Sequence, residues 1–248
     1  MIAGAATGIL RTMLVDKEKI ADLIPVDVAI NVMIVSAWKR SRMSYDDCFG
    51  NEKIQNKQPP IYNCTSGNIN PILWGDIEEW SLNSIWKYPV DRLLWYPGGS
   101  LKKWKVHDRI CRVLLHYLPA FLVDICLTIL RKGRFMTKLT FKMTKSMEAL
   151  EFFATRQWSW TNDNLMKLQA DVEHCDEQSL QIFNFDLKTL DWRVYFDKYV
   201  LGTRHFVLKN DPNTLDSSRK KMKLMQMLHF FVQFCFIFII YYLFKCYI

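Results

Sequence analysis

Two periodicities alternate along the first hundred residues. Asp22-Leu-Ile-Pro-Val26 is a short apolar run, which predicts a buried strand. Directly after it, Ile30, Ile34, Ala37 and Trp38 recur three and four apart, the spacing of a helix with one apolar face. Asp27 stands at the start of that helix. A carboxylate there accepts the free amides of the first turn, so Asp27 reads as a helix cap rather than an acid. Residues 41–59 are polar and end in Pro59-Pro60, which predicts a loop. Ile61-Tyr-Asn-Cys-Thr65 predicts a second strand, broken by Ser66-Gly67-Asn68, with a helix expected after Pro71. Strand and helix in alternation, with strands apolar enough to be covered on both faces, predict an α/β layer.

The pattern changes near Pro97-Gly98-Gly99-Ser100, and beyond it no strand is expected. Ile110–Leu130 is strongly apolar but contains Arg112, His116, Pro119 and Asp124. Met136, Leu139, Met143, Met147, Leu150 and Ala154 form a stripe at helical spacing, with Lys138, Lys142 and Lys145 on its other side. This stripe is ordinary core or membrane-facing surface, not a cofactor box. Trp192, Tyr195, Tyr199, Thr203 and Phe206 form another, with Asp191 placed to cap it and Asp211-Pro212 to end it. The second region is therefore predicted to be all-helical. Leu224 to Phe244 carries no charge and, as a helix, spans about 30 Å, the hydrocarbon thickness of a bilayer. Arg219, Lys220, Lys221 and Lys223 precede it and only Lys245 follows, a bias that places the N-terminal side in the cytosol.

Composition narrows the function classes. A chain of 248 residues, 50% hydrophobic and 14% aromatic, is not disordered as a whole. Its formal charge of +8 favours an anionic partner without choosing one. Residues 102–145 hold eleven Lys or Arg against two Asp, yet show neither zinc-ligand spacing nor a repeated aromatic-glycine pattern. No nucleic acid is therefore expected as a partner. The same bases flank apolar stretches, which fits anionic lipid headgroups or a solvated helix face. The seven cysteines are odd in number and contain no C-x-x-C pair, so a reduced compartment is expected. The five histidines do not recur with Cys, Asp or Glu at ligand spacing, so no metal is expected. Met1 to Leu10 is small and glycine-rich, without a basic flank before an apolar run. It reads as a loop from a domain interior, not as a secretory leader.

An ordered set of stretches resembles the alcohol-forming fatty acyl-CoA reductase family, which are extended short-chain dehydrogenases with an added C-terminal helical domain. The stretches are Gly4-Ala-Ala-Thr-Gly8-Ile-Leu-Arg11, Ala21-Asp-Leu-Ile-Pro-Val-Asp27-Val-Ala-Ile-Asn31 and Tyr62-Asn-Cys-Thr-Ser-Gly67-Asn-Ile-Asn-Pro71-Ile-Leu-Trp74-Gly75. Trp95-Tyr-Pro-Gly-Gly99, His116-Tyr-Leu-Pro-Ala120, Ile182-Phe-Asn-Phe-Asp186 and Tyr199-Val-Leu-Gly202 follow in order, so the resemblance covers most of residues 1–223. It implies an α/β fold over residues 1–100, the C-terminal part of a Rossmann-like NAD(P)-binding reductase domain. An all-helical domain over 101–223 and a C-terminal transmembrane helix over 224–244 would follow. It also implies NADPH-dependent reduction of a long-chain fatty acyl-CoA to the primary alcohol through an aldehyde. The implied setting is a lipid membrane, peroxisomal or endoplasmic reticulum, with the bulk of the chain cytosolic.

The family's chemistry needs a glycine-rich strand-to-helix turn for the pyrophosphate and a Tyr with a Lys one helical turn later. Gly4 and Gly8 do not make the first, and the only Tyr-x-x-x-Lys, Tyr241 to Lys245, falls at the end of the apolar tail by chance. No catalytic or cofactor-binding residue is assigned, and the catalytic segment is expected upstream of Met1. Gly4, Gly8 and Arg11 are expected to form a substrate-side loop. There Arg11 either meets a phosphate of the acyl-CoA or is structurally paired. The alternative function is a non-catalytic, membrane-tethered lipid-binding or scaffolding module derived from the reductase.

Overall fold

The computed structural model describes residues 1–42, 60–173 and 177–247. In chain order the elements are α1 (Ile2–Ala6), β1 (Thr12–Leu14), α2 (Val26–Arg42), α3 (Trp74–Lys87) and β2 (Ser100–Lys102). Then come α4 (Lys105–Arg112), a π-helical turn (Val113–Tyr117), α5 (Leu118–Ile129) and α6 (Met136–Ala154). They are followed by α7 (Asp163–Glu173), α8 (Glu177–Ile182), α9 (Trp192–Gly202), a second π-helical turn (Thr203–Val207) and α10 (Leu215–Tyr247). The described residues are mostly helical. Their one sheet is β1 beside β2, parallel, with Thr12 opposite Ser100, Met13 opposite Leu101 and Leu14 opposite Lys102.

The chain divides into two compact units. One comprises Met1–Lys19, Trp74–Arg156 and Trp192–Ile248; the other comprises Ile20–Leu73 and Gln157–Asp191.

In the second unit, α2 and α7 share a core of Val32, Val35, Leu165, Leu168, Val172 and Phe185. The runs expected to be strands, Asp22–Val26 and Ile61–Thr65, are not strands: the first is irregular until Val26 opens α2, and the second is irregular throughout. Side chains explain the difference. Asp22 Oδ1 accepts the amides of Ser66 (2.7 Å) and Gly67 (3.3 Å). The amide groups of Asn63, Asn70, Asn162 and Asn164 donate to the carbonyls of Thr161, Leu187, Thr65 and Ile61, each between 2.8 and 3.0 Å. With the Ile61 and Thr65 carbonyls met by Asn164 and Asn162, the second run needs no partner strand. Asp27 lies inside the first turn of α2 rather than at its cap, and accepts from the Val28 amide at 3.0 Å. Of the loop expected over 41–59, Ser41 and Arg42 end α2 and the rest lies outside the described residues.

In the first unit, Ala6, Ile85, Val90 and Val200 bury together, as do Met13, Val15, Met147 and Ala154. The helix expected after Pro71 begins at Trp74, and those expected over 136–154 and from Trp192 are α6 and α9. Their buried faces differ from the expected stripes. On α9 the buried residues are Trp192, Phe196 and Val200, while Phe206 is exposed. On α6 they are Thr140, Thr144, Met147 and Ala154, while Leu139 and Leu150 are exposed. β2 is a strand where none was expected. Three residues are too few to show a period, and parallel pairing with β1 is what makes them a strand. α10 continues without interruption through the uncharged tail, its large apolar side chains exposed.

Candidate functional site

The first unit holds an apolar cleft, open to solvent, between α1, the strand pair and α3. Ile2, Leu10, Met13, Ile77, Leu82 and Leu101 line it, with Arg11, Glu78 and Ser81 among its few polar members. Two polar atoms of this lining, Trp74 Nε1 and Ser81 Oγ, are buried and have no hydrogen-bond partner within the protein. Both stand on α3, seven residues apart and so on one face of the helix. A buried donor without a partner costs about 1–3 kcal/mol. The cleft surface is almost wholly apolar and suits an apolar chain, and the two unpartnered polar atoms lie buried behind it.

The strand pair is held from both sides by side chains. The Leu101 amide donates to Glu78 Oε1 at 2.9 Å, and the other oxygen of Glu78 pairs with Lys17. Across the pair, His116 Nε2 accepts from the backbone amides of Arg11 (2.8 Å) and Thr12 (3.2 Å). That geometry places the imidazole proton on Nδ1, which is buried and finds no partner. The Thr12 hydroxyl donates to Asp108 Oδ1 at 3.1 Å, and Asp108 Oδ2 lies 2.5 Å from Arg112 Nε.

The three residues expected in a substrate-side loop fall in different settings. Gly4 is inside α1, where a Cβ would sit 3.5 Å from the Leu10 side chain. Gly8 turns the chain from α1 toward β1 with φ +79°, and a Cβ there would lie 2.2 Å from the Trp95 carbonyl oxygen. Only glycine fits both conditions. Arg11 lines the cleft, and its Nη1 donates to the Tyr96 carbonyl at 2.8 Å. Burial pushes its guanidinium below the ordinary arginine value. The structure therefore brings Arg11 to the cleft and leaves Gly4 and Gly8 behind it as packing and turn positions.

Sequence reasoning missed Glu78, Asp108, Arg112 and His116, although for the last three a signal was present. Asp108, Arg112, His116 and Asp124 fall at multiples of four within an apolar stretch, which puts them on one helix face.

The residues present do not form a dinucleotide cradle. Among the described residues no strand leads through a glycine-rich turn into a helix. β2 passes through Lys103 and Trp104 into α4, and the glycine beside β1 precedes the strand. Nor do three His, Cys, Asp or Glu side chains come together among the described residues as metal ligands would.

This fold and cleft define a mostly helical protein with a long apolar tail, and residues 115–210 match the model of a domain family described as male sterility protein. Three curated relatives extend the match. The chain is 30% identical over 222 residues to fatty acyl-CoA reductase 1 of Xenopus laevis, covering 90% of this chain and 40% of that protein. It is 30% identical over 232 residues to fatty acyl-CoA reductase wat of Drosophila melanogaster, with 93% and 42% covered. It is 27% identical over 230 residues to fatty acyl-CoA reductase 2 of Bos taurus, again with 93% and 42% covered. The chain is similar to the C-terminal portion of fatty acyl-CoA reductases. It spans about 40% of the length of the curated relatives it matches.

Proposed function

We propose that this chain is the acyl-binding and membrane-anchoring part of an alcohol-forming fatty acyl-CoA reductase. In the whole protein, NADPH delivers two hydrides to a long-chain fatty acyl-CoA, first to the aldehyde and then to the primary alcohol. The observation that carries this reading is the apolar cleft. Its lining is almost wholly apolar, which suits a hydrocarbon chain. Arg11, in the same lining, is a cation suited to a phosphate. Gly4 and Gly8 shape the loop that sets Arg11 in place. In this reading residues 1–100 complete a Rossmann-like domain, residues 101–223 form the helical domain, and residues 224–244 cross the membrane once. The basic residues before the tail keep residues 1–223 on the cytosolic side of a peroxisomal or endoplasmic reticulum membrane.

The test is a chimaera that joins the remaining N-terminal length of the Xenopus laevis reductase to this chain, assayed in detergent with NADPH and palmitoyl-CoA. Fatty alcohol is expected from the chimaera, and none from the 248 residues alone. Replacing Leu82 by Trp, which fills the cleft, is expected to raise KM for the long acyl chain more than for a short one. Equal effects on both would remove the cleft from substrate binding. Turnover by the 248 residues alone would show that the active site lies within them. The second reading, a non-catalytic lipid-binding module, rests on the same apolar cleft. It predicts fatty acyl binding by this chain together with an inactive chimaera.

A further inference from the structure

The stretch Lys105–Ile129 is long and apolar enough to cross a bilayer, as is the tail. The two are not equivalent. On α4, the π-helical turn and α5, the residues at every fourth position, Asp108, Arg112, His116, Ala120 and Asp124, are all buried, with 1–7% of their surface exposed. The apolar residues between them face outward: Ile110, Val113, Leu114, Phe121, Leu122 and Ile129 are each more than half exposed. A helix on the surface of a water-soluble domain shows the opposite arrangement.

The buried polar groups are tied down along the whole stretch. Asp108 takes the Thr12 hydroxyl and His116 takes the amides of Arg11 and Thr12. Asp124 takes the amides of Phe135 (3.1 Å), Met136 (3.0 Å) and Thr137 (2.9 Å), which open α6. From Asp108 to Asp124 these attachments run over about 24 Å of helix. The helix cannot rotate or insert endwise without carrying buried, hydrogen-bonded charge into hydrocarbon, at a cost of several kcal/mol per group.

We propose that Lys105–Ile129 is a monotopic helix lying in the plane of an anionic bilayer. Its outward apolar face is sunk into the leaflet from which the tail enters, and its polar face is fixed to the first unit. The inference rests on the reading of residues 224–244 as the membrane anchor and adds a second, non-spanning attachment. Two further observations point to lipid as the occupant. Between Ile125 and Met147 the chain carries Arg131, Lys132, Arg134, Lys138, Lys142 and Lys145 and no acid, all six exposed, which matches anionic headgroups at the rim of the apolar face. The foot of the tail also sits beside this helix's anchor points. Gln226 donates to the Tyr96 hydroxyl (3.3 Å) and Trp95 to His229 (3.1 Å), while Arg11, whose amide meets His116, holds the Tyr96 carbonyl.

The test uses the full chain in liposomes of phosphatidylcholine and phosphatidylserine that carry phospholipids with a photoreactive diazirine. The diazirine sits near the glycerol in one preparation and at the acyl terminus in another. Peptides are mapped by mass spectrometry after photolysis. The shallow probe is expected to label 105–129 with a helical period, at positions such as Val113, Leu114 and Phe121, and to spare Asp108, Arg112, His116 and Asp124. The deep probe is expected to label the tail and largely miss 105–129. Labelling of 105–129 all round by both probes would mean a spanning helix and overturn the proposal. So would no labelling there beside a labelled tail, or cross-linking of that face to a second copy of the chain. An unlabelled tail beside a labelled 105–129 would instead sink the anchor reading alone.

Discussion

Arg204 is the largest fully buried side chain of the first unit, with 1% of its surface exposed, and it ties the foot of the tail helix to the strand-bearing body. Its Nε donates to the Pro89 carbonyl at 3.0 Å and its Nη2 to Thr214 Oγ1 at 2.8 Å, while Nη2 lies 3.4 Å from Asp91 Oδ1. Asp91 also accepts from the Thr214 hydroxyl (2.8 Å) and from the Ser218 hydroxyl on the first turn of α10. Replacing Arg204 by Met keeps most of the packed stem and removes the charge and its donors. Breaking one side of a buried pair costs about 3–5 kcal/mol. Here the Asp91 side chain is 22% exposed and keeps two hydroxyls, so about 2–4 kcal/mol is expected. For a chain of this size that lowers Tm by roughly 5–15 °C. The assay is thermal unfolding in detergent micelles followed by tryptophan fluorescence. Adding Asp91→Asn should recover part of the loss, with a coupling of about 1–3 kcal/mol. Acid adds a second readout. Burial alone would raise the Asp91 carboxyl, but the hydroxyls of Ser218 and Thr214 and the Arg204 guanidinium outweigh it and hold the group below its ordinary value. A depressed carboxylate stabilises the fold fully above its unfolded pKa, near 3.9, and loses that contribution as pH falls through the lower folded value. Stability should therefore decline below about pH 4 in the parent and less steeply in Asp91→Asn. A Tm loss under about 2 °C for Arg204→Met, with no coupling to Asp91, would refute this account of the tail's attachment.

Two further substitutions probe the cleft. Gly8→Ala combines a strained φ with a Cβ driven into the Trp95 carbonyl, so a loss of at least about 2 kcal/mol is expected by the same unfolding assay; tolerance would contradict the turn geometry. Glu78→Ala should cost about 1–3 kcal/mol by leaving the Leu101 amide unpaired, whereas Glu78→Gln keeps an acceptor and should cost less; equal losses would mean that the Lys17 ion pair, not the strand-edge bond, matters.

The helices were legible in the sequence because 3.6-residue periodicity is local: α3, α6, α9 and the tail begin or run where their spacing predicts. The strands were not. Asp22–Val26 and Ile61–Thr65 have strand composition, but Asp22 turns its carboxylate to the amides of Ser66 and Gly67, and the carbonyls of Ile61 and Thr65 are met by asparagine side chains far along the chain. β1 and β2 are short and defined by pairing across some ninety residues, information that no local window holds. Arg11 was legible as a candidate because it follows a glycine-marked turn. Glu78 was not, and the spacing that marks the His116 face does not show its partners, since each residue joins the site through a backbone amide on another element. Which face of α4 and α5 is buried was hidden for a different reason. The rule that polar residues face outward assumes water outside, and this helix reverses it.

That reversal bears on how the cleft and the proposed lipid surface work together. The strand pair lies between them, gripped on one side by Glu78 from α3 and on the other by His116 from the π-helical turn. Arg11 and Thr12, whose amides His116 holds, also line the cleft. A shift of the turn therefore pulls on two residues of the cleft wall. The wider π-helical turn is itself a deviation of the kind that often marks functional positions, and here it carries the histidine that makes the connection. If the helix is seated in the leaflet, the bilayer fixes the position of His116, and His116 fixes Arg11. Membrane attachment would then do more than raise the local concentration of an apolar substrate. It would hold the cleft in register with the surface from which such a substrate arrives. His116→Ala should separate these roles: membrane association, which rests on the outward residues and the tail, should persist. Long-chain acyl binding, measured with a fluorescent acyl-CoA in liposomes, should weaken because Arg11 and Thr12 lose their common acceptor. Unchanged acyl binding in that variant would show that the two surfaces are merely neighbours.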